Sequence, residues 1–260
     1  MEKSQADSGI DVLDLASDAG RLVLESGGET YRAEDTVEGI LRGCGASSEN
    51  CFATPTGTFT SCTDRDGAKR SMIRRIKWRG MDLGSLARLH GLRLDVESGQ
   101  SGPAEARERL EALSLTRAKR PWVGVIGAAI VAAFFAPLFD GGWRELLVAA
   151  PTGALVKLLF NALSRKHKLS DFFLNTICGA LIPPCAALGA LDFPGLMTDA
   201  VTIAALMILV PGLAIVNAIR DLMSGDLVAG LARGAEAFMA AAAIALGVGA
   251  GLLIPWPGGA

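Results

Sequence analysis

The chain has 260 residues, half of them hydrophobic and a fifth charged, and its mean hydropathy of +0.37 is too apolar for an ordinary soluble domain. Its formal net charge of -2 says little about partners, because the two signs nearly cancel along the whole length. The five cysteines are odd in number and lack CxxC or Cys/His spacing, so neither a disulfide framework nor a metal site follows, and no cofactor is expected.

The average conceals a division. Residues 1–120 hold 18 of the 25 Lys and Arg and 19 of the 27 Asp and Glu. The expected organisation is therefore an N-terminal soluble domain over 1–118 and a transmembrane domain over 119–260. The opening MEKSQADSGIDVLD is acidic and polar, unlike a signal peptide, and so is expected to stay in the cytoplasm. Segments 10–26 and 29–43 carry apolar residues at helical spacing, separated by Gly27-Gly28. The period then changes to two: 51–62 and 71–78 read as strands, the first interrupted at Pro55-Thr56-Gly57. Helices are expected again near 82–94 and 103–113, completing a cytoplasmic α+β domain large enough to bury its own core. The basic run from Arg65 to Arg93, with Lys69, Arg70, Arg74, Arg75, Lys77 and Arg79, has no aromatic interleaving. It reads as a solvated face, or one turned toward anionic headgroups, and no nucleic-acid partner is expected.

A helix rising about 1.5 Å per residue needs about 20 apolar residues to cross the hydrocarbon of a bilayer. Five stretches qualify: 121–139, 146–163, 172–191, 200–219 and about 228–254. Arg117, Lys119 and Arg120 precede the first, Arg165, Lys166 and Lys168 join the second to the third, and Arg220 lies in the fourth connection. Arg144 stands on the opposite side, beside Asp140 and Glu145. Basic loops stay inside, so the expectation is five transmembrane helices running N-in, C-out.

With that orientation Lys157, Asn161, Asn175, Thr176, Asn217, Arg220, Asp221, Arg233 and Glu236 all fall in the cytoplasmic halves of their helices. Singly, Lys157 can snorkel and Arg233 can pair with Glu236 along one helix. Together they suggest a polar vestibule, since intramembrane charge is turned toward a bundle interior or a water-filled cavity. Pro183-Pro184 and Pro211-Gly212 both fall near the expected midplane, where each proline removes an N–H and frees the carbonyl four residues back. Interrupted helices meeting there point to a transporter binding site, and simple proline kinks are the alternative. Gly230-x-x-x-Gly234, Gly247-x-x-x-Gly251 and the AAAAIA run allow close helix packing in lipid.

The string LVPGLAIVNAIRDLMSGDLVAGLARGAEA resembles the signature of the threonine/serine exporter family, in particular its split form, whose characterised members export succinate. GGETYRAEDTVEGI, FATPTG, RRIKWRGMDL and DGGW match the same family, and the resemblance covers roughly 10–255. It implies export of small carboxylate metabolites driven by the proton gradient. It further implies that this chain is the longer subunit, working with a small membrane partner of about four to five spans, as a complex that can itself be homo-oligomeric. The family motif puts weight on Pro211, Gly212, Asn217, Asp221, Gly225, Gly230, Leu231, Ala232 and Arg233, and less on Arg220.

The expected transport residues are thus Pro211, Gly212, Asn217, Arg220, Asp221, Arg233, Glu236, Lys157, Asn161 and Asn175. Arg220, Arg233 and Lys157 would attract carboxylates, and Asp221 or Glu236 could carry the coupled proton. Two other readings stay open. An enzyme is disfavoured by the lack of HExxH, GxSxG and GxGD, with His90 and His167 both remote from any nucleophile candidate. A membrane-anchored metabolite sensor would give the soluble domain its job, with Glu29, Tyr31, Arg32 and Glu34 as ligand contacts or merely helix surface.

Overall fold

The computed structural model describes residues 11–63, 67–115, 121–166 and 169–254. Arg65, Arg117, Lys119, Arg120 and Lys168, used above to read charge and orientation, lie outside them, as does His167. The chain forms two compact units, one of Met1–Ala118 with Val216–Arg233, the other of Lys119–Ile215 with Gly234–Ala260.

In the first unit, helix α1 (Val12–Glu25) starts at Asp11, whose carboxylate accepts from the Leu13 and Asp14 N–H groups and satisfies two orphan donors of the first turn. It ends at Gly27, which adopts φ +85°. There the Gly28 N–H reaches back 3.0 Å to the Val23 carbonyl and the Gly27 N–H 3.1 Å to that of Leu24. A Cβ on Gly27 would stand 2.7 Å from the Gly80 carbonyl, and one on Gly28 2.7 Å from the Val23 side chain, so this turn admits only glycine. Helix α2 (Thr30–Gly43) follows at once. Strands β1 (Ser47–Thr54), β2 (Gly57–Thr63) and β3 (Lys69–Arg75) form an antiparallel sheet in that order, with Thr54 paired to Gly57 across Pro55-Thr56. β1 is an edge strand, and two carboxylates of α2 cover it: Glu34 accepts from the Ala53 N–H at 2.8 Å and Glu38 from that of Cys51 at 3.2 Å. Helices α3 (Leu83–Glu97) and α4 (Pro103–Leu115) complete the domain. The core is Leu15, Leu24, Val37, Ile40, Leu41, Leu89, Leu92 and Val96. Part of the basic run is neutralised internally. Arg74 pairs with Asp14 and Asp18 of α1, and Arg107 reaches both acids at 3.0 and 3.2 Å.

The second unit contains α5 (Pro121–Phe135), which continues into a 3₁₀ turn at Ala136–Phe139, then α6 (Trp143–Lys166), α7 (Asp171–Asp192) and α8 (Thr198–Leu206). Helices α9 (Gly212–Met223) and α10 (Leu227–Leu252) begin or end here and contribute their other parts to the first unit. The burial pattern is that of a lipid-facing bundle. Ala132, Ala136, Ala149, Ala186, Ala204 and Ala205 are buried, while Phe134 and Leu138 are 69% and 72% exposed. Glu145 ties the bundle together at one end, accepting from the Gly142 N–H at 2.7 Å and the Met197 N–H at 2.9 Å.

Among the described residues four helices are individually long and apolar enough to cross a membrane: Trp122–Phe139, Trp143–Ser164, Asp171–Asp192 and Leu227–Leu252. The stretch 200–219, expected as one span, is divided between α8 and α9, with 207–211 out of helix. The expected interruption at Pro183-Pro184 is absent, because α7 runs unbroken through both prolines. Pro184 frees the Ala180 carbonyl, and Gly251 of α10 lies against it so closely that a Cβ there would come within 2.6 Å. Gly247 approaches the Thr176 carbonyl in the same way. The glycines of α10 thus allow a close approach to the α7 backbone, which at Gly251 includes the carbonyl that Pro184 leaves unpaired.

Candidate functional site

The segment Val216–Arg233 is a tight helical hairpin. Gly225 adopts φ +87° and ends α9, and the Asp226 carboxylate accepts from the Ala229 N–H at 3.1 Å to start α10. Gly230 lets the two helices close, since a Cβ there would meet the Leu222 side chain at 2.5 Å and the Ala218 carbonyl at 3.0 Å. The turn sets Asp221 opposite Arg233, with Arg233 Nε 3.0 Å from Asp221 Oδ2 and side-chain exposures of 8% and 0%.

On α9, Asn217, Arg220 and Asp221 fall at i, i+3 and i+4 and share one face. Each meets the Gly27-Gly28 turn or the start of α2. Asn217 Nδ2 donates to the Gly27 carbonyl at 3.2 Å, and Arg233 Nη2 donates to the Gly28 carbonyl at 2.8 Å. Thr30 Oγ1 donates to Asp221 Oδ1 at 3.1 Å. Arg220 pairs with Glu29 Oε1, while Glu29 Oε2 holds Arg32 Nε at 2.8 Å. A carboxylate is therefore held at the positive end of α2, and two carbonyls left over at the end of α1 receive donors. The reciprocal set of Gly27, Gly28, Glu29 and Thr30 is one that sequence reading assigns to a loop and a helix surface. Nothing local in GGET signals partners about 190 residues downstream.

The other expected residues belong to the second unit. Lys157 of α6 and Asn175 of α7 line a cavity of about 150 Å³ with Val156, Phe160 and the non-helical Ile208 and Leu209. Lys157 Nζ also stands 5.2 Å from the centre of the Phe160 ring, a cation–π distance. Pro211 and Gly212 close the non-helical segment and open α9. Asn161, one turn beyond Lys157, is half-buried outside that lining, and Glu236 is exposed on α10.

Long apolar helices with small residues inside and large ones outside, a helix broken at a proline, and an ammonium and an amide facing the break together define a polytopic helical membrane protein with a small polar cavity. The chain belongs to the threonine/serine exporter family: the family model ThrE, described as "Putative threonine/serine exporter", matches residues 14–254. It is 26% identical over 254 residues to the "Probable threonine/serine exporter" of Mycobacterium tuberculosis, covering 95% of this chain and 48% of that protein. With the "Threonine/serine exporter" of Corynebacterium glutamicum it shares 26% over 250 residues, or 93% and 50% of the two chains. With the "Probable succinate transporter subunit YjjP" of Escherichia coli it shares 23% over 242 residues, covering 90% and 91%. The chain thus spans about half the length of the two exporters and nine-tenths of the succinate transporter subunit. No solved structure matches it.

Proposed function

We propose that the chain is one subunit of a bacterial inner-membrane exporter of small carboxylate metabolites, succinate or threonine and serine. The observation that carries this reading is the cavity beside the 207–211 break, where Lys157 and Asn175 supply a cation and an amide to a carboxylate in an otherwise apolar bundle. The names of the relatives support the cargo, and the word "subunit" in the name of the E. coli relative supports a small membrane partner of about four to five spans. In this reading residues 1–118 form a cytoplasmic domain, the chain crosses the membrane five times with its C-terminus outside, and α8 with α9 makes the interrupted crossing. Export is driven by the proton gradient, with Asp221 or Glu236 as the carboxylate that carries the proton. Asn217, Arg220, Asp221 and Arg233 hold the hairpin to the α2 terminus.

Efflux of labelled succinate and labelled threonine from cells expressing this chain alone, or together with the small partner, tests the reading. Succinate efflux that requires both proteins is the expected result. No efflux of either compound with both proteins present in the membrane overturns it.

A further inference from the structure

A second cavity, of about 280 Å³, opens in the first unit between α2 and α3, and none of the expected transport residues lines it. We propose that it binds a small dicarboxylate, as a site separate from the transport path. Arg32 on α2 and Arg93 on α3 bring guanidinium groups from two different helices, Tyr31 and His90 add polar edges, and Val23 and Leu86 supply an apolar floor.

Both cations have carboxylate neighbours yet keep donor groups that these do not hydrogen-bond. Arg93 reaches Asp35 only at 3.6 Å and Glu97 at 3.7 Å, beyond hydrogen-bonding distance, and its buried Nε has no hydrogen-bond partner. Arg32 spends Nε on Glu29 at 2.8 Å and on the Tyr31 hydroxyl at 3.2 Å, which leaves its two terminal nitrogens, the fork that suits a carboxylate, for a ligand. Asp35, the acid on the lining, is 61% exposed and can turn to solvent when an anion enters. Phosphate would use the guanidinium groups but has no use for Val23 and Leu86. A dicarboxylate uses both, one charge for each arginine and a methylene chain over the floor. The volume lies just below the usual range of ligand pockets, about 300–1,000 Å³, which suits a four- to six-carbon acid and is too small for a nucleotide.

Arg32 also gives the site an outlet. It shares Glu29 with Arg220 of the hairpin, so a ligand that fixes the Arg32 fork fixes the carboxylate that holds Arg220. The proposal draws on the export reading only in choosing succinate as the first probe.

Calorimetric titration of the purified full-length protein in detergent with succinate, with its neutral analogue succinamide and with inorganic phosphate tests it, alongside hydrogen exchange of 30–43 and 83–97. Expected are succinate binding that slows exchange in both helices, no binding of succinamide, and affinity at least tenfold weaker in both R32Q and R93Q. Arg32 is 48% exposed, so R32Q keeps the parent melting temperature and reports on binding even if R93Q does not fold. Parent-like succinate binding by a folded R32Q, protection confined to other segments, or binding of phosphate without succinate each overturns the proposal. Because binding is read on purified protein and export in cells, the failure of one leaves the other standing.

Discussion

Asp221 is fully buried and Arg233 nearly so, and each is the other's charge partner, at 3.0 Å. Removing one member of such a pair strands the other away from water, at a cost of about 3–5 kcal/mol, whereas replacing both by apolar residues of similar volume can be close to neutral. Asp221→Leu and Arg233→Met should therefore each lower the melting temperature of the detergent-purified protein by several degrees, and the double variant should recover most of the loss. Additive losses in the double variant would show that the pair carries no coupling. Glu34 gives the opposite case, a carboxylate with no salt bridge among the described residues. Burial pushes its carboxyl above the usual glutamate range, against the pull of the Ala53 N–H. A raised folded pKa means that the folded protein keeps a proton which the unfolded chain releases. The contribution of this group is then complete below the ordinary glutamate pKa and declines as pH rises through the raised value. Glu34→Gln retains an oxygen for Ala53 and removes the charge, so its stability should fall less steeply than that of the parent as pH rises from the ordinary glutamate pKa. Parallel pH curves would contradict the assignment.

Turns decide where the elements of the first unit meet, and the Gly27-Gly28 turn is the least replaceable of them. Gly27→Ala combines a left-handed φ, worth about 1–2 kcal/mol for a residue with a Cβ, with a collision against the Gly80 carbonyl at 2.7 Å. It should cost stability and also loosen the hairpin, because Gly27 and Gly28 supply the carbonyls that Asn217 and Arg233 use. Faster hydrogen exchange in 216–223 of that variant checks the second part, and unchanged exchange there would separate the turn from the hairpin. The helix up to Gly27 and the period of two through 51–62 were legible because each has a local cause, but 51–62, expected as one strand interrupted at Pro55-Thr56-Gly57, is two strands, β1 and β2, paired antiparallel across Pro55-Thr56. The break at Pro211 was legible for the same reason. The continuity of α7 through Pro183-Pro184 was not, and the close approach of Gly251, about 70 residues later, to the Ala180 carbonyl is a contact that no local string records. Pairing of Asp221 with Thr30 was equally hidden, because a local string carries no record of a partner 191 positions away.

At the scale of the whole chain, the ten residues that the sequence groups as one vestibule divide between the two units. Lys157, Asn161, Asn175, Pro211, Gly212 and Glu236 belong to the second, while Asn217, Arg220, Asp221 and Arg233 belong to the first. The sequence could only list polar residues on apolar helices, and the partners that distinguish them lie on other elements. The division separates two ways of losing export. Lys157 and Asn175 line a cavity and hold no buried salt bridge among the described residues, so Lys157→Gln and Asn175→Ala should reduce efflux at least tenfold while leaving the melting temperature close to that of the parent. Asp221→Asn and Arg233→Gln break the buried pair, so they should reduce efflux and lower the melting temperature together. Measuring both quantities on all four variants distinguishes the roles. A Lys157→Gln protein that exports at the parent rate would remove the cavity from the path. An Asp221→Asn protein with parent stability and no export would make Asp221 a residue of the transport chemistry and not of the hairpin's anchorage.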